Sequence, residues 1–380
     1  MRVALVDASI KSDRYPLGLL RLSTMLKTEY REIKIDLYRK SIPNKPYDKI
    51  LVSTLFTYEI AHAISIIKKC KQFSKSIFVG GISASLMPNI FRMLGVQVEI
   101  GLHKNAEFCT PDYTLVDNDY SIVHTSRGCV RKCGFCAVPK IEGKYVDKNW
   151  GIDDVNRESK KIYFYDNNYT VKTPQKMVKD LKILEDIFKR TNIKRTVFDQ
   201  AIDCRLVTED KADILTRMNL DICCFAFDGM HEDGHIQKAV KIMADRGEKK
   251  FYIYCLYNFE DTPKDFYFRI KECIRMGEEL GVSVTAYPMR YQPVMTFDKT
   301  RSYVGKYWTK KEKKGFMHIL ENQSIFGQIS QSTVKDFEYW FGKDEKEFLK
   351  LISYDNISIY SKRKKAFKKS CVTTKKTIDR

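Results

Sequence analysis

Three closely spaced cysteines offer the clearest chemistry in this chain. Cys129, Cys133 and Cys136 follow the spacing C-x3-C-x2-C. A structural zinc site uses four ligands, and an ordinary iron–sulfur cluster is also held by four thiolates. Three thiolates on a [4Fe–4S] cluster would leave one iron without a protein ligand. Because an open coordination position distinguishes a reactive metal centre from a structural one, the spacing favours a reactive iron–sulfur site.

Zinc is the competing metal for these thiolates. It would need a fourth ligand, and the nearest candidates, His124 and Cys109, precede the cysteines rather than standing at zinc-finger spacing. A zinc-stabilised nucleic-acid-binding protein is therefore the alternative to an enzyme. Zinc without iron after anaerobic preparation would favour this alternative.

The cysteines directly follow the first strand of a β/α series. Short β-branched runs indicate its strands at 120–126, 160–166, 194–200, 221–228, 249–257 and 281–288. Amphipathic patterns between them predict helices at 174–190, 208–218, 234–247 and 262–280. Right-handed crossovers would curl six such units into part of a TIM-like barrel. We therefore predict a partial (β/α)6 barrel over residues 118–295.

Polar side chains gather where the predicted barrel strands end. They are Asp166, Asn167, Asn168, Asp199, Gln200 and Asp228. The carboxyl ends of the strands form the active-site rim of β/α barrels, so these residues are candidates for ligand contacts. Helix capping and turn formation are the competing explanation, because Asp and Asn favour both.

Two further regions flank the barrel. Strand patterns at 2–7, 32–38, 49–53, 76–81 and 96–101 alternate with helical patterns at 17–29, 58–72 and 85–94, which predicts a doubly wound parallel sheet over residues 1–110. After residue 295, helical stretches at 309–331 and 344–352 predict a small helical C-terminal extension over 296–358, followed by a basic tail over 359–380. The fold class is therefore α/β with several domains.

The composition bounds the function classes. A chain of 380 residues is too long to fold around a single hydrophobic core, so more than one domain is expected. Its net charge of +19 favours a polyanionic partner such as nucleic acid. A solubilising surface is the alternative explanation for the charge. The sequence shows neither an eighteen-residue apolar run nor a signal peptide, so we expect a cytoplasmic protein without a membrane partner. The eight scattered cysteines are expected to be mostly small buried hydrophobic residues.

The cysteine segment resembles the signature of the radical SAM (S-adenosylmethionine) enzymes, including an aromatic residue, Phe135, before the last cysteine. The segments "SRGCVRKCGFCAVPKIEGK", "YFYDNNYT", "FDQAIDCRL" and "FAFDG" are similar to successive rim segments of that family. They look most like the subgroup with an N-terminal cobalamin-binding-type domain. The resemblance covers about residues 1–295.

The resemblance implies an enzyme with a [4Fe–4S] cluster on the three cysteines. The open iron would chelate SAM, and one electron would cleave SAM to methionine and a 5′-deoxyadenosyl radical that abstracts hydrogen from a substrate. In the family a segment that is often Gly-Gly-Glu contacts the amino group of SAM, and here its place is held by Tyr165, Asp166, Asn167 and Asn168. Contacts to the ribose and the methionine carboxylate are implied for Asp199, Gln200, Arg205 and Asp228, with Arg205 suited to a bidentate carboxylate contact.

Partners and a second cofactor are implied only by the resemblance. A flavodoxin- or ferredoxin-type protein would donate the electron. Whether the N-terminal domain binds cobalamin stays open. The cobalt-ligating motif Asp-x-His-x-x-Gly is absent, and the first strand leads into "ASIKSDRYPLG" without a histidine. A cobalamin-dependent methyltransferase is thus a second enzyme hypothesis. The substrate is not specified, and the basic charge favours a nucleic acid.

Overall fold

The computed structural model describes residues 1–323 and 327–353; the predicted basic tail, 359–380, lies outside them. The chain divides into two compact units. Unit 1 consists of Met1–Val171, Val178–Thr196 and Gln292–Ser302. Unit 2 consists of Lys172–Met177, Val197–Tyr291 and the described residues from Tyr303 on. The domain boundaries given above stay predictions.

The N-terminal part of unit 1 is a five-stranded parallel sheet in the order β2-β1-β3-β4-β5. Its strands are β1 (Arg2–Asp7), β2 (Lys34–Arg39), β3 (Lys49–Ser53), β4 (Ile77–Gly80) and β5 (Gln97–Val98). Its helices are α1 (Leu17–Glu29), α2 (Ile60–Cys70), α3 (Ile82–Leu86) and α4 (Pro88–Arg92). Because neighbouring residues of a strand point to opposite faces, Val3 and Leu5 pack in one core cluster and Ala4 and Val6 in another. The doubly wound sheet is confirmed.

The prediction of a single helix over 85–94 is wrong. The structure has α3 and α4 instead, separated by Met87, whose φ of −132° and ψ of 56° are not helical. Pro88 occupies the first position of α4. A proline disfavours the helical conformation of the residue before it, so the interruption falls where this residue pair requires it.

A six-stranded parallel sheet carries the β/α series in sequential order, β13-β12-β11-β10-β9-β6. In chain order the elements are β6 (Tyr120–Val123), β7 (Ser126–Arg127), α5 (Val138–Ile141), β8 (Val146–Asp147), β9 (Lys161–Phe164), α6 (Pro174–Arg190), β10 (Arg195–Phe198), α7 (Glu209–Arg217), β11 (Leu220–Ala226), α8 (His235–Asp245), β12 (Lys250–Tyr257), α9 (Pro263–Leu280) and β13 (Ser283–Arg290). The strand order predicted for a partial barrel is thereby confirmed. Among the described residues, no helix combines the length and the apolar character needed to cross a lipid bilayer.

The start of α9 shows how local sequence fixes these elements. Thr262 is the N-cap and its hydroxyl accepts a hydrogen bond from the Asp265 amide, while the Asp265 carboxylate accepts one from the Thr262 amide. Pro263 takes the first helical position, where a missing N–H costs nothing. The reciprocal cap sets the start of the helix that follows β12.

The C-terminal part of unit 2 is a small helical extension, as predicted, but with different bounds. It contains α10 (Lys310–Gln323), α11 (Val334–Phe341) and α12 (Glu345–Ser353). The predicted stretch 309–331 is too long, because Ile329 forms an antiparallel bridge with Ala286 through two backbone hydrogen bonds of 2.8 and 2.9 Å. The sequence patterns did not indicate α11.

Candidate active site

The cysteine segment is a loop whose two ends are held together. Ser126 and Arg127 of β7 pair antiparallel with Asp147 and Val146 of β8. Gly128 has a φ of 67°, and a methyl group added there would collide with the carbonyl oxygen of Lys144. Glycine is therefore required where the two arms of the hairpin come closest. The loop that carries the three thiols is closed at its base.

All three predicted ligands are half-buried thiols in this loop. The backbone amide of Arg131 donates to the sulfur of Cys129 at 3.3 Å, and that of Val138 donates to the sulfur of Cys136 at 3.4 Å. Hydrogen bonds from backbone amides to sulfur are typical of the cysteine ligands of an iron–sulfur cluster. Among residues 1–323 and 327–353, no three His, Cys, Asp or Glu side chains are arranged to hold a metal ion. The role of the cysteines as ligands stays a prediction.

Asp166 holds the start of the loop from inside the protein. It follows β9 and is only 2% exposed. Its carboxylate accepts hydrogen bonds from the Thr125 amide at 3.2 Å, the Thr125 hydroxyl at 2.8 Å and the Ser126 hydroxyl at 2.5 Å. These contacts fix the chain between β6 and the cysteines. A direct contact of Asp166 with SAM stays a prediction.

Asn167 and Asn168 differ in their surroundings. The half-buried Asn167 donates its amide to Glu142 at 2.7 Å. Asn168 is 4% exposed and accepts a hydrogen bond from the Thr170 hydroxyl at 3.4 Å. The structure therefore brings Asn167 to the end of the cysteine loop, where Glu142 lies, while Asn168 stabilises the turn after β9.

Two glutamates that the sequence analysis did not single out anchor Arg127, the residue two positions before the first cysteine. Glu142 accepts hydrogen bonds from Arg127 at 3.3 Å and from the Gly128 amide at 3.0 Å. Glu107 forms a bidentate pair with Arg127 at 2.8 and 2.9 Å. Glu107 also contacts Arg21 at 2.6 Å and Lys148 at 3.4 Å. Three cations thus share one carboxylate.

The charge cluster around Glu107 shifts the pKa values of its members. Burial alone would raise the pKa of Glu107, but the hydrogen bonds and charge of Arg127 and the charges of Arg21 and Lys148 lower it to about 2. Burial, followed by repulsion from Arg21, lowers the pKa of Lys148 to about 8. Glu107 is therefore ionised at neutral pH.

His124, one of the two candidates for a fourth zinc ligand, lies beside the same cluster. It is 8% exposed, and burial together with the charges of Arg127, Arg21 and Lys148 holds its pKa well below the ordinary value of 6.5. Three nearby cations would repel a zinc ion as they repel the proton. The other candidate, Cys109, donates a hydrogen bond from its thiol to the carbonyl oxygen of Asn105 at 3.6 Å. Nothing in these surroundings favours zinc.

A cavity of about 370 Å³ lies in the N-terminal part of unit 1. Apolar side chains line most of it, namely Leu19, Leu22, Met25, Leu26, Leu51 and Phe78. Six charged side chains also line it, namely Arg21, Glu29, Lys49, Glu99, Glu107 and Arg127. Gly80 and Gly81 also line it, and a methyl group on Gly81 would collide with the carbonyl oxygen of Thr54. The two glycines thus allow the tight turn after β4 and also form part of the cavity wall.

The remaining predicted site residues lie in unit 2. Arg205 pairs with Asp203 through its Nε at 2.7 Å and its Nη2 at 3.1 Å, and lies 3.5 Å from Glu232. Asp203 therefore binds the edge of the Arg205 guanidinium that was expected to bind a carboxylate of SAM. The local spacing of Asp203 and Arg205 could have indicated this pair. Glu232, at 4% exposure, gave no signal in the sequence.

Asp228 shares Glu232 with Arg205. The Asp228 amide donates to Glu232 at 2.5 Å, and the Asp228 carboxylate accepts a hydrogen bond from the Leu256 amide at 3.2 Å. Burial, and then the charge of Glu232, raise the pKa of Asp228 to about 7. Asp228 can therefore take up or release a proton near neutral pH.

Asp199 and Gln200 directly follow β10. The backbone carbonyl of Asp199 accepts a hydrogen bond from the Tyr254 hydroxyl at 3.4 Å. Ala201 has a φ of 68°, a left-handed conformation that turns the chain sharply after Gln200. Gln200 is exposed and Asp199 is half-buried. The contacts of both residues with SAM stay predictions.

Comparison with known proteins identifies the fold. No family model matches the chain. The structure of a radical SAM methyltransferase, TsrM from Kitasatospora setae, solved with cobalamin and a [4Fe–4S] cluster bound, matches with a TM-score of 0.59 at 13% identity, covering 79% of this chain and 77% of that chain. The chain has the radical SAM fold. The fold class predicted from the sequence is confirmed, and the predicted resemblance is confirmed as a likeness of fold.

A second structure of TsrM and short matches to curated proteins accompany this result. TsrM with a tryptophan substrate and the SAM analogue aza-SAM gives a TM-score of 0.57 at 13% identity, over 78% of this chain and 75% of that chain. Ribosomal protein uS12 methylthiotransferase RimO from Chlorobaculum parvum is 30% identical over 80 residues, 21% of this chain and 16% of RimO. RimO from Chlorobium limicola is 31% identical over 62 residues, 16% of this chain and 13% of RimO. The chain thus spans less than a fifth of these curated relatives.

Proposed function

We propose that this protein is a radical SAM enzyme in which Cys129, Cys133 and Cys136 hold a [4Fe–4S] cluster that cleaves SAM reductively. The observation that supports the proposal is a closed loop with three half-buried thiols, placed directly after the first strand of a sheet with the radical SAM fold. Amide donors to two of the sulfurs fit a cluster. When bound, the cluster supplies one electron and an open iron for SAM.

The residues of the chain would position the reactants. Glu107 and Glu142 hold Arg127 and therefore the first arm of the cysteine loop. We assign Asn167, Asn168, Asp199, Gln200, Arg205 and Asp228 to the surroundings of SAM, as the family resemblance implies. Asp166 would act on SAM through the loop that it positions. Asp228, whose pKa burial and the charge of Glu232 raise to about 7, is the member of this group that titrates near neutral pH.

Replacing Cys133 with alanine should abolish SAM cleavage. Wild-type protein reconstituted anaerobically with iron and sulfide, then reduced with SAM present, should form 5′-deoxyadenosine, whereas two thiolates cannot hold the cluster in the same way. Cys109→Ala is the matched control, because Cys109 is a half-buried thiol in the same unit and a candidate ligand only for zinc. Iron binding without nucleoside formation by wild type would contradict the proposal. Zinc without iron, lost in the Cys109 variant, would favour the zinc-stabilised nucleic-acid-binding protein.

The reaction that follows SAM cleavage is proposed only by class. Hydrogen abstraction or methyl transfer at an unactivated position fits the fold. The net charge of +19 supports a polyanionic substrate such as RNA.

The cavity in unit 1 supports a second candidate, a cobalamin-dependent methyltransferase. Its volume of about 370 Å³ is that of a small-ligand pocket and suits one bulky heteroaromatic group rather than a complete corrinoid. The segment after β1 holds no histidine that could ligate cobalt, and no reaction step is assigned to cobalt. The candidate predicts that protein purified in the presence of hydroxocobalamin retains one corrinoid per chain, measured by its visible absorption. A colourless protein would contradict the cobalamin-dependent candidate.

A further inference from the structure

A buried glutamate of unit 2 joins the segments that follow two neighbouring strands. Glu232 ends the short helical turn after β11. Its Oε2 accepts hydrogen bonds from the Asp228 amide at 2.5 Å and from the Gly229 amide at 3.2 Å. Its Oε1 lies 3.5 Å from Nη2 of Arg205, which follows β10. Because β10 and β11 are adjacent in the sheet, one carboxylate connects two neighbouring parts of the rim.

Capping of the local turn explains only one of the two carboxylate oxygens. Glu232 stands at the third position after Gly229 and accepts a hydrogen bond from its amide, as a capping glutamate does. This function needs one oxygen and no partner outside the turn. The contact of the second oxygen with Arg205 joins a different segment of the chain, so capping leaves it unexplained.

Asp228 and Arg205 each keep one polar atom for a ligand. Oδ1 of Asp228 accepts a hydrogen bond from the Leu256 amide at 3.2 Å. Arg205 uses its Nε and Nη2 on Asp203, at 2.7 and 3.1 Å. In the part of the chain that the structure describes, Oδ2 of Asp228 and Nη1 of Arg205 form no hydrogen bond. One acceptor and one donor thus remain on the two side chains that Glu232 connects.

The backbone before Asp228 is fixed from the opposite side by α9. Arg269 of this helix is fully buried, donates to the carbonyl oxygen of Phe227 at 2.6 Å and pairs with Asp261 at 2.9 Å. The chain therefore enters the turn in a set position. The direction in which it continues through Asp228 depends on the turn that Glu232 holds.

We propose that Glu232 is a positioning residue of the SAM site, which sets Asp228 and Arg205 relative to each other and acts on SAM only through them. The inference rests on the proposed function, which assigns these two residues to the surroundings of SAM. Asp228 would accept hydrogen bonds from the ribose hydroxyls, which an ionised carboxylate does best.

The charge of Glu232 also acts on the ionisation of Asp228. After burial, it is the next largest cause that raises the pKa of Asp228 to about 7, while the charges of Arg269 and Arg205 and the Leu256 amide oppose the rise. Removing the charge of Glu232 would therefore lower the pKa of Asp228. A role in the fold alone would leave no such trace in SAM binding.

The test variant is Glu232→Gln, and the measurement is the dissociation constant of SAM for the reconstituted protein from pH 6 to pH 8. The glutamine oxygen can still accept both backbone hydrogen bonds, but its amide group cannot pair with the guanidinium of Arg205. At pH 8 we expect SAM to bind about tenfold more weakly, with the rate of cleavage at saturating SAM unchanged. Towards pH 6 the wild type should lose affinity as Asp228 is protonated, and the variant should lose less. The ratio of the two dissociation constants should therefore shrink towards pH 6.

Two further variants serve as controls. His231→Gln changes an exposed side chain of the same turn, 3.7 Å from the same glutamate oxygen, and should bind SAM like the wild type at every pH. Asp228→Asn cannot ionise, so adding Glu232→Gln to it should weaken binding by the same factor at every pH. Thermal unfolding of the apoproteins verifies that each variant is folded.

The outcomes separate the positioning role from the proposed function. A wild type that neither binds SAM nor forms 5′-deoxyadenosine at any pH contradicts the proposed function itself. A ratio for Glu232→Gln that is the same at every pH overturns only the positioning role. Equal pH dependence of SAM binding in the wild type and in Asp228→Asn also overturns that role, whatever the behaviour of the Glu232 variant.

Discussion

Replacing Asp166 with alanine is expected to lower the free energy of unfolding by about 3 to 5 kcal/mol and to prevent the cysteine loop from loading iron. The substitution leaves the Thr125 amide, the Thr125 hydroxyl and the Ser126 hydroxyl without their shared acceptor. Each buried donor without an acceptor costs roughly 1 to 3 kcal/mol. Urea unfolding of the apoprotein and iron content after reconstitution measure the two effects.

Asp166→Asn is the matched variant for this test. The amide oxygen can still accept the two hydroxyl hydrogen bonds, so we expect a loss of about 1 to 2 kcal/mol and partial iron loading. If Asp166 mainly contacted SAM, the alanine variant would unfold like the wild type and load iron normally, but would bind SAM poorly. That result would contradict the positioning role.

Replacing Glu107 with glutamine should destabilise the protein by about 3 to 5 kcal/mol, because it leaves a buried arginine without its counter-ion. Arg21 is 2% exposed and pairs with Glu107 at 2.6 Å, and Arg127 and Lys148 lie beside it. Thermal unfolding at neutral pH measures the loss. Glu99→Gln is the control, since Glu99 lines the same cavity but is exposed.

The stability difference between wild type and Glu107→Gln should depend on pH in one direction. The pKa of Glu107 is about 2 in the folded protein, against an ordinary value of 4.5. A depressed carboxyl pKa stabilises the fold fully above the unfolded value and loses that contribution as the pH falls through the folded value. The difference should therefore be constant between about pH 5 and pH 7, below the titration of Lys148, and shrink towards pH 2. A difference that grew on acidification would contradict the ion-pair account.

The sequence predicted the elements whose patterns are local. The bounds of α1 (Leu17–Glu29) and α6 (Pro174–Arg190) agree with the predicted ranges, because helical periodicity and the proline at the start of α6 lie within the element itself. Adjacent strands in chain order are neighbours in the six-stranded sheet. A predicted parallel β/α series was therefore enough to give the order of the strands.

The contacts that hold the candidate site could not be predicted because they join distant residues. Arg21 and Glu107 are 86 positions apart, and Asp166 binds residues 40 and 41 positions before it. An aspartate after a strand has the same sequence pattern whether it faces a ligand or the protein interior. Only the three-dimensional structure shows that Asp166 faces inward.

The hairpin at the base of the cysteine loop has a consequence for how the site would assemble. Joining the ends of a flexible segment costs conformational entropy that increases with the logarithm of its length. Pairing of Arg127 with Val146 already brings these ends together within unit 1, so the folded polypeptide bears that cost before any metal is captured. Iron capture would then have to order only the interior of the loop, and maturation would follow folding as a separate step.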